Sequence, residues 1–366
     1  MEILQVIDSL SIGGSESLSA SLAEQFSTRG IKCQICAMGA NGPLQERLDQ
    51  AGIKATHLNI PQGIDLGAAL SLGQLVLKSH IDVILTHHFR QLIHAVPAAT
   101  FLRRRLVHVE HDYHSYEQRP DILRKLNLVA PFVYKFVFVS DQIRDWFVKR
   151  LPKVSAKCIS IPNGIDTILF CRHQDARISL RNRLNAQAQT VIIGTCARLE
   201  PIKDIALLVH GFSLMVKAST HTDLDPRLVI VGDGSQREYL ELLVNSLGLA
   251  DKCHFVGVVS DVYNWLSAFD VYAITSVDEG LPLSVLEAMS ASLPIVAVNV
   301  GSLTSIVDNS VGTILMHRTP ENLGEKLFSL CTDLLGAKER GARARATIVK
   351  RYSIHAMTEA YLTTIQ

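Results

Sequence analysis

The chain has 366 residues, 48% of them hydrophobic, and its 36 basic and 35 acidic side chains leave a formal net charge of +1. This length and apolar content suit two domains of ordinary size, and the charge balance gives no support to nucleic-acid binding driven by global charge. No apolar run reaches the ~18 residues that span a bilayer, and the seven scattered cysteines do not suggest a disulfide framework.

The start, Met1-Glu2-Ile3-Leu4-Gln5-Val6-Ile7-Asp8, reads as a short strand. It lacks the basic start and cleavage site of a signal peptide, so a reducing cytoplasm is the expected home. Ile3–Leu10, Lys32–Met38, Lys54–Ile60, Val83–Thr86, Leu106–Glu110, Phe136–Val139 and Cys158–Ile161 read as strands. Amphipathic stretches lie between them, such as Ser15–Thr28, where Leu18, Leu22 and Phe26 recur every four residues. This alternation argues for βαβ units and a parallel sheet with helices on both faces. Cys33 and Cys36 form a CxxC inside a strand, where they point to opposite faces; a structural role is expected over redox or zinc chemistry.

Ile161-Pro162-Asn163-Gly164-Ile165-Asp166 is dense in turn residues, and the polar segment His173 to Gln189 reads as partly helical. Strands resume at Thr190–Cys196, Arg227–Val231, His254–Val256, Val271–Ile274 and Ile295–Val298, and helical patterns close the chain from Pro320 onward. The simplest account is two doubly wound α/β domains joined near residues 162–175. Ligands of such sheets bind outside the carboxyl ends of the strands, so the strand-end loops are the place to look for chemistry.

The first strand leads into Leu10-Ser11-Ile12-Gly13-Gly14-Ser15-Glu16 and then a helix. Gly13 and Gly14 let the backbone approach a ligand whose anion meets the helix N-terminus; the plainer reading is a turn with Ser15 as N-cap. The GxGxxG spacing of a dinucleotide oxidoreductase is missing. In Arg198-Leu199-Glu200-Pro201-Ile202-Lys203, an Arg and a Lys five apart can place a planar fork and a point charge on one diphosphate; the alternative is a solvated loop. Val231-Gly232-Asp233-Gly234 either borders a ligand cleft or only makes a tight turn.

The segment Ser276-Val277-Asp278-Glu279-Gly280-Leu281-Pro282-Leu283-Ser284-Val285-Leu286-Glu287 carries two glutamates into an apolar context. Pro282 suits the first turn of a helix through Ala288, which puts Glu279 at the helix mouth and Glu287 about two turns along it. Carboxylates accept hydrogen bonds from vicinal hydroxyls, and the N–H groups near Leu281 and Leu283 face an incoming phosphate. The plainer reading is a pair of surface glutamates, which the apolar neighbours of Glu287 disfavour.

In this order the motifs resemble the retaining, nucleotide-sugar-dependent glycosyltransferases of GT-B fold, the group 1 glycosyl transferases of family 4. The resemblance spans essentially the whole chain and is strongest from Asn163 to Gly301. It implies an α/β architecture of two Rossmann-like doubly wound domains facing across a cleft. These are an acceptor-side domain at 1–162, a nucleotide-sugar-binding domain at 163–345, and a C-terminal helix at 346–366 packing back on the N-terminal domain. It implies that Arg198 and Lys203 hold the diphosphate, Glu287 bonds the ribose and Glu279 contacts the transferred sugar. Gly13, Gly14, Gly234, Gly280, Leu281 and Leu283 would line the donor, and His111 matches the family histidine near the reacting sugar.

Departures from the pattern are Asp204-Ile205 where the family often has Gly, and Asp278 beside Glu279. His108, His111 and His114 raise the question of a metal, and none is expected. No cofactor is expected either; the donor is a nucleoside diphosphate sugar, with UDP ahead of GDP. The implied reaction moves a sugar to a hydroxyl acceptor in polysaccharide, lipopolysaccharide or glycolipid assembly, by front-face attack through an oxocarbenium-like transition state. Alternatives are a nucleotide-sugar epimerase of related fold and a non-catalytic nucleotide-sugar-binding protein. Arg103-Arg104-Arg105 and Arg119 to Lys125, with Leu123, Leu126, Val129 and Phe132, suit peripheral contact with an anionic membrane. An ordinary core-facing helix with a solvated rim is slightly favoured over it.

Overall fold

The computed structural model describes residues 1–11, 13–60 and 63–366. The chain divides into two compact units, Met1–Gly164 with Ile354–Gln366, and Ile165–Ser353. Each unit is built on one parallel sheet.

The sheet of the first unit runs in the order β3 (Ala55–His57), β2 (Lys32–Ala37), β1 (Glu2–Ile7), β4 (Val83–His87), β5 (Arg105–Glu110), β6 (Lys135–Phe138) and β7 (Cys158–Ser160). That of the second runs β10 (Cys253–Gly257), β9 (Asp225–Val231), β8 (Thr190–Cys196), β11 (Val271–Ile274), β12 (Ile295–Val298) and β13 (Gly312–Leu315). Every ladder is parallel, as continuous apolar runs require when helices cover both faces of a sheet. Strand order reverses between β1 and β4 in one unit and between β8 and β11 in the other. These two reversals open crevices at the carboxyl ends of the strands.

Apolar helix faces close the sheets. In the helix Gly14–Thr28, Leu18, Leu22 and Phe26 are buried, as their spacing predicts. The polar stretch after His173 forms the helix Gln174–Arg183 although it buries none of its residues fully. Arg177 Nη2 and Arg181 Nη1 anchor it on Asp270 at 2.6 and 2.7 Å, so ion pairs substitute for an apolar stripe. Strand β13 escapes the sequence reading because Gly312-Thr313-Ile314-Leu315 is a four-residue edge strand set among turn residues.

The C-terminal residues differ from a single helix at 346–366. The helix Leu334–Arg351 packs on the helix Leu283–Ser290 and belongs to the second unit. Gly341 sits where a Cβ would meet Ser292 O at 2.1 Å, so that helix is pinned against the Ser292 backbone. The chain then passes to the helix Ile354–Ile365, which belongs to the first unit and packs on Gly14–Thr28. There Arg29 Nε pairs with Glu359 at 3.1 Å, and Arg105 Nη1 donates to Ile365 O at 2.7 Å. No helix among the described residues is long and apolar enough to cross a membrane.

Candidate functional site

In the second unit the loops after β8 and β11, neighbours at the strand reversal, are stitched together. Val277 N donates to Ile202 O at 2.8 Å, and Thr275 Oγ1 donates to Asp204 O at 2.9 Å. Pro201 starts a single 3₁₀ turn, Pro201–Lys203, and Asp204 follows in the left-handed region with φ 42° and ψ 53°. A glycine would adopt this conformation without strain, and Asp is tolerated because a short polar side chain can hydrogen-bond locally there. Asp204 Oδ1 caps the helix Ile205–Ala218 by accepting from Leu207 N at 3.2 Å, and Oδ2 pairs with Arg318 Nη2 at 2.5 Å. Arg318 Nη2 also donates to Thr275 O at 3.1 Å, locking the end of β11 to the same corner.

The stitching brings Lys203 and Glu279 together, with Lys203 Nζ 2.6 Å from Glu279 Oε1. Ser276 Oγ donates to the same carboxylate oxygen at 2.6 Å. The Lys203 and Glu279 side chains keep only 21% and 9% of their surface, so the pair is well shielded from water. Arg198 is different: exposed, with no ion pair among the described residues. Its charge lowers the Glu200 pKa, though less than the Ser235 hydrogen bonds do. One shielded, paired cation and one exposed, unpaired cation thus follow the same strand.

Behind them lies a backbone-on-backbone scaffold. Gly301 has φ +50°, and a Cβ there would fall 1.7 Å from Glu279 O. Ser302 N donates to Gly280 O at 3.2 Å, so the Val300–Ser302 turn supports the Glu279–Gly280 loop. A Cβ at Gly234 would meet Leu199 O at 2.6 Å, and Leu199 N donates to Asp233 O at 2.9 Å. The room at Gly234 is therefore taken up by the loop that carries Arg198.

The helix over the glutamates starts later than the sequence suggests. It spans Leu283–Ser290, and Pro282 is its N-cap, with φ −70° and ψ 120°, rather than a first-turn residue. Leu281 is buried, and no acceptor among the described residues takes the Leu283 N–H, leaving it with the unpaired character of a helix start. Glu287 lies one turn inside. It is half-buried as a residue, but surrounding atoms desolvate its carboxyl group and push the pKa up to about 7. No cation among the described residues pairs with it; its field instead reaches Cys196, at the end of β8, and Tyr272 on β11, both raised chiefly by burial.

The first unit gathers histidines at its own strand reversal. His87 ends β4, His88 follows it, and His111 follows β5. His87 Nδ1 and His111 Nε2 are 3.0 Å apart, and the His111 ring lies 5.3 Å from that of His87 and 4.9 Å from that of His88. Burial, then the neighbouring imidazoles, pull the His111 pKa well below its ordinary value and that of His87 down to about 3. His88 has φ +67°, a strained conformation for a non-glycine residue. Its Nε2 lies 3.2 Å from Ser15 Oγ. Gly13, not Ser15, is the N-cap of the following helix, and nothing lies within 4 Å of where a Cβ at Gly14 would be. Ile12 of this loop lies outside the described residues.

His108, His111 and His114 do not converge. His108 is buried between Thr86 Oγ1 at 2.9 Å and Glu110 Oε1 at 2.7 Å, whereas His114 pairs with Glu117 at 3.3 Å. The described residues contain no cluster of His, Cys, Asp or Glu fit for a metal ion.

Two family profiles match the chain, Glycosyltransferase Family 4 over residues 12–169 and Glycosyl transferases group 1 over residues 176–347. The chain belongs to the group 1 glycosyltransferases. It is 24% identical over 291 residues to the UDP-Gal:alpha-D-GlcNAc-diphosphoundecaprenol alpha-1,3-galactosyltransferase of Escherichia coli, covering 76% of this chain and 74% of that protein. It is 28% identical over 173 residues to the poly(ribitol-phosphate) alpha-N-acetylglucosaminyltransferase of Staphylococcus aureus, where the match covers 47% of this chain but 34% of that protein. Among solved structures, Anabaena Alr3699/HepE in complex with UDP aligns with a TM-score of 0.86 and 22% identity, over 100% of this chain and 99% of that one. The likeness establishes the GT-B fold.

This group 1 glycosyltransferase holds functional candidates that the motif reading passes over. His87 and His88 stand in Thr86-His87-His88, the end of a strand, and the strand-end rule itself was the signal. Ser276 stands only three residues before its partner Glu279, in the segment already singled out, whereas Arg318 carries no signal in sequence because its partner Asp204 is distant along the chain.

Proposed function

We propose that this glycosyltransferase moves a sugar from a nucleoside diphosphate sugar to a hydroxyl acceptor with retention of anomeric configuration. The observation that carries the reading is the content of the β8–β11 reversal: two cations, Arg198 and Lys203, and two carboxylates, Glu279 and Glu287, each suited to one part of a donor. The cations bind the diphosphate and stabilise the charge that grows on it as the glycosidic bond breaks. The open Leu283 N–H adds a donor at a helix start. Glu287, a carboxylate without a counter-charge, gains most from two ribose hydroxyls. Glu279, released from Lys203 as the diphosphate takes that ammonium, turns to the hydroxyls of the sugar.

Glu279 Oε1 already accepts from Lys203 and Ser276, which suits a positioned hydrogen-bond acceptor better than a nucleophile. The acceptor hydroxyl then attacks from the face the diphosphate leaves, and a phosphate oxygen takes its proton. The first unit, with the His111 cluster, serves the acceptor and the reacting sugar. No cofactor is needed. UDP is the favoured base because the E. coli relative uses a UDP sugar and HepE binds UDP. The Escherichia coli diphosphoundecaprenol galactosyltransferase and the Staphylococcus aureus poly(ribitol-phosphate) enzyme support a role in polysaccharide, lipopolysaccharide or glycolipid assembly. A thermal-shift panel of UDP, GDP, ADP and their sugars, followed by assignment of the product anomer by NMR, tests the proposal. Stabilisation by no nucleotide, or an inverted product, overturns it.

Membrane contact belongs to the same proposal. In the helix Pro120–Val129 only Leu126 is fully buried; Leu128 and, just beyond, Phe132 are 74% and 53% exposed beside the exposed cations Arg124 and Lys125. Flotation with anionic liposomes at low salt checks it, and no binding removes it.

A further inference from the structure

We infer that His87 is a positioning residue that holds His111 as the Nε2–H tautomer, leaving His111 Nδ1 as a hydrogen-bond acceptor for a substrate hydroxyl. The argument begins at Gln5, fully buried on β1. Its Nε2 lies 2.9 Å from Ser19 O and 3.5 Å from Cys33 Sγ, so the amide nitrogen faces acceptors and Oε1 faces His87. His87 Nε2 lies 3.2 Å from that Oε1 and 3.1 Å from Ser19 Oγ. The Ser19 hydroxyl has already donated its proton to Ser15 O at 2.7 Å, so it can only accept. Both neighbours of His87 Nε2 are therefore acceptors, and that nitrogen carries the proton.

The assignment propagates. A neutral His87 with a proton on Nε2 has a lone pair on Nδ1, and the group 3.0 Å away, His111 Nε2, must be the donor. His111 Nδ1 is then the lone-pair nitrogen of that ring. No described residue hydrogen-bonds it, and His111 is half-buried rather than sealed. The burial that keeps both rings neutral supports the same protonation.

His88 fixes the plane of the ring. Ser15 Oγ donates to Glu16 Oε2 at 2.9 Å and so accepts from His88 Nε2, holding the His88 ring against His111. The relay thus runs from the buried amide of Gln5 through His87 to one open nitrogen that accepts from hydroxyls and refuses acceptor-only partners such as an ionised phosphate. The tautomer stands on the hydrogen-bond geometry together with the burial that keeps His87 neutral; the hydroxyl as ligand rests on the glycosyl-transfer reading above.

The test is proton–nitrogen correlation NMR on protein carrying isotope-labelled histidine, near neutral pH, with the His111 signals identified by their loss in His111→Gln. The wild type should show a protonated Nε2 and an unprotonated Nδ1. In His87→Leu the acceptor is gone and the Nδ1–H form should appear. In His87→Asn the amide oxygen can stand in for Nδ1, and the Nε2–H form should return. In transfer assays His87→Leu should lower kcat about tenfold with KM for the donor little changed, the scale of one misplaced hydrogen bond, and His87→Asn should recover most of it. An Nδ1–H tautomer in the wild type, an unchanged spectrum in His87→Leu, or His87→Asn no better than His87→Leu overturns the inference. If His87→Leu does not fold, the wild-type and His87→Asn spectra still decide. Expected spectra in a protein that transfers no sugar would remove the proposed function and leave the tautomer relay standing.

Discussion

Glu287→Gln should make the ligand-free protein more stable and the donor bind less tightly. The carboxyl is pushed from an ordinary 4.5 up to about 7 by desolvation, with no cation opposite. Because the folded-state value is the higher one, the folded state holds the proton between those two values and the unfolded state does not. The penalty is absent below the lower value, grows as pH rises between them, and is complete above the higher one, where it amounts to about 3 kcal/mol. A neutral amide removes that penalty at the cost of burying its own dipole, leaving a net gain of about 2 kcal/mol, or roughly 4–8 °C in the melting temperature of a domain of this size. The same change turns a charge-assisted acceptor into a neutral one and should weaken UDP binding by roughly tenfold to a hundredfold. Thermal denaturation of wild type and variant at about pH 5 and about pH 8, with and without UDP, reads both effects; the stability difference should open only at the higher pH. An equal difference at both pH values, or a variant less stable at high pH, refutes the desolvated-carboxylate argument. UDP affinity unchanged in Glu287→Gln refutes the ribose role.

Arg198→Ala and Lys203→Ala should each lower kcat by ~10²–10³, the scale of losing one preorganised donor to a leaving group. A loss below fivefold in both removes the assignment. They should part in stability, because only Lys203→Ala leaves the shielded Glu279 without its cation; equal urea midpoints would contradict the pairing. Asp204→Gly trades a cap and the Arg318 pair for relief of a left-handed backbone, so its stability should stay within about 1 kcal/mol of wild type. Asp204→Ala loses the cap and keeps the strain, and should unfold at lower urea than Asp204→Gly; the reverse order would show that the αL conformation is not under strain.

The sheets were legible because parallel strands buried on both faces are written as unbroken apolar runs, and the helices between them as four-residue spacings such as Leu18, Leu22 and Phe26. Strand-end placement also pointed to Arg198, Lys203, Glu279 and Glu287. What their spacing did not reveal was the pairing of Lys203 with Glu279, since that contact is made by the stitching of two loops far apart in sequence. Asp204 could be flagged as unusual, but the meaning of the residue became plain only with its φ of 42°. The histidine relay was hidden for a different reason: its tautomers are dictated by Gln5 and Ser19, residues that look like ordinary members of a strand and a helix. The late start of the Leu283–Ser290 helix shows the limit of reading Pro as a first-turn residue when it can equally be the cap.

The route of the chain has a consequence for how the protein is made. The first unit is complete only when Ile354–Gln366 has joined it, after the whole of Ile165–Ser353 has been synthesised. Until then the Gly14–Thr28 helix lacks the packing of the Ile354–Ile365 helix, and Arg29 lacks Glu359. The usual order on the ribosome, in which the N-terminal domain folds first and independently, is thereby reversed for its final step: the second unit can finish before the first. A nascent chain released just short of Ile354 carries a finished second unit and a first unit with an open apolar face, the kind of surface that chaperones hold and proteases find.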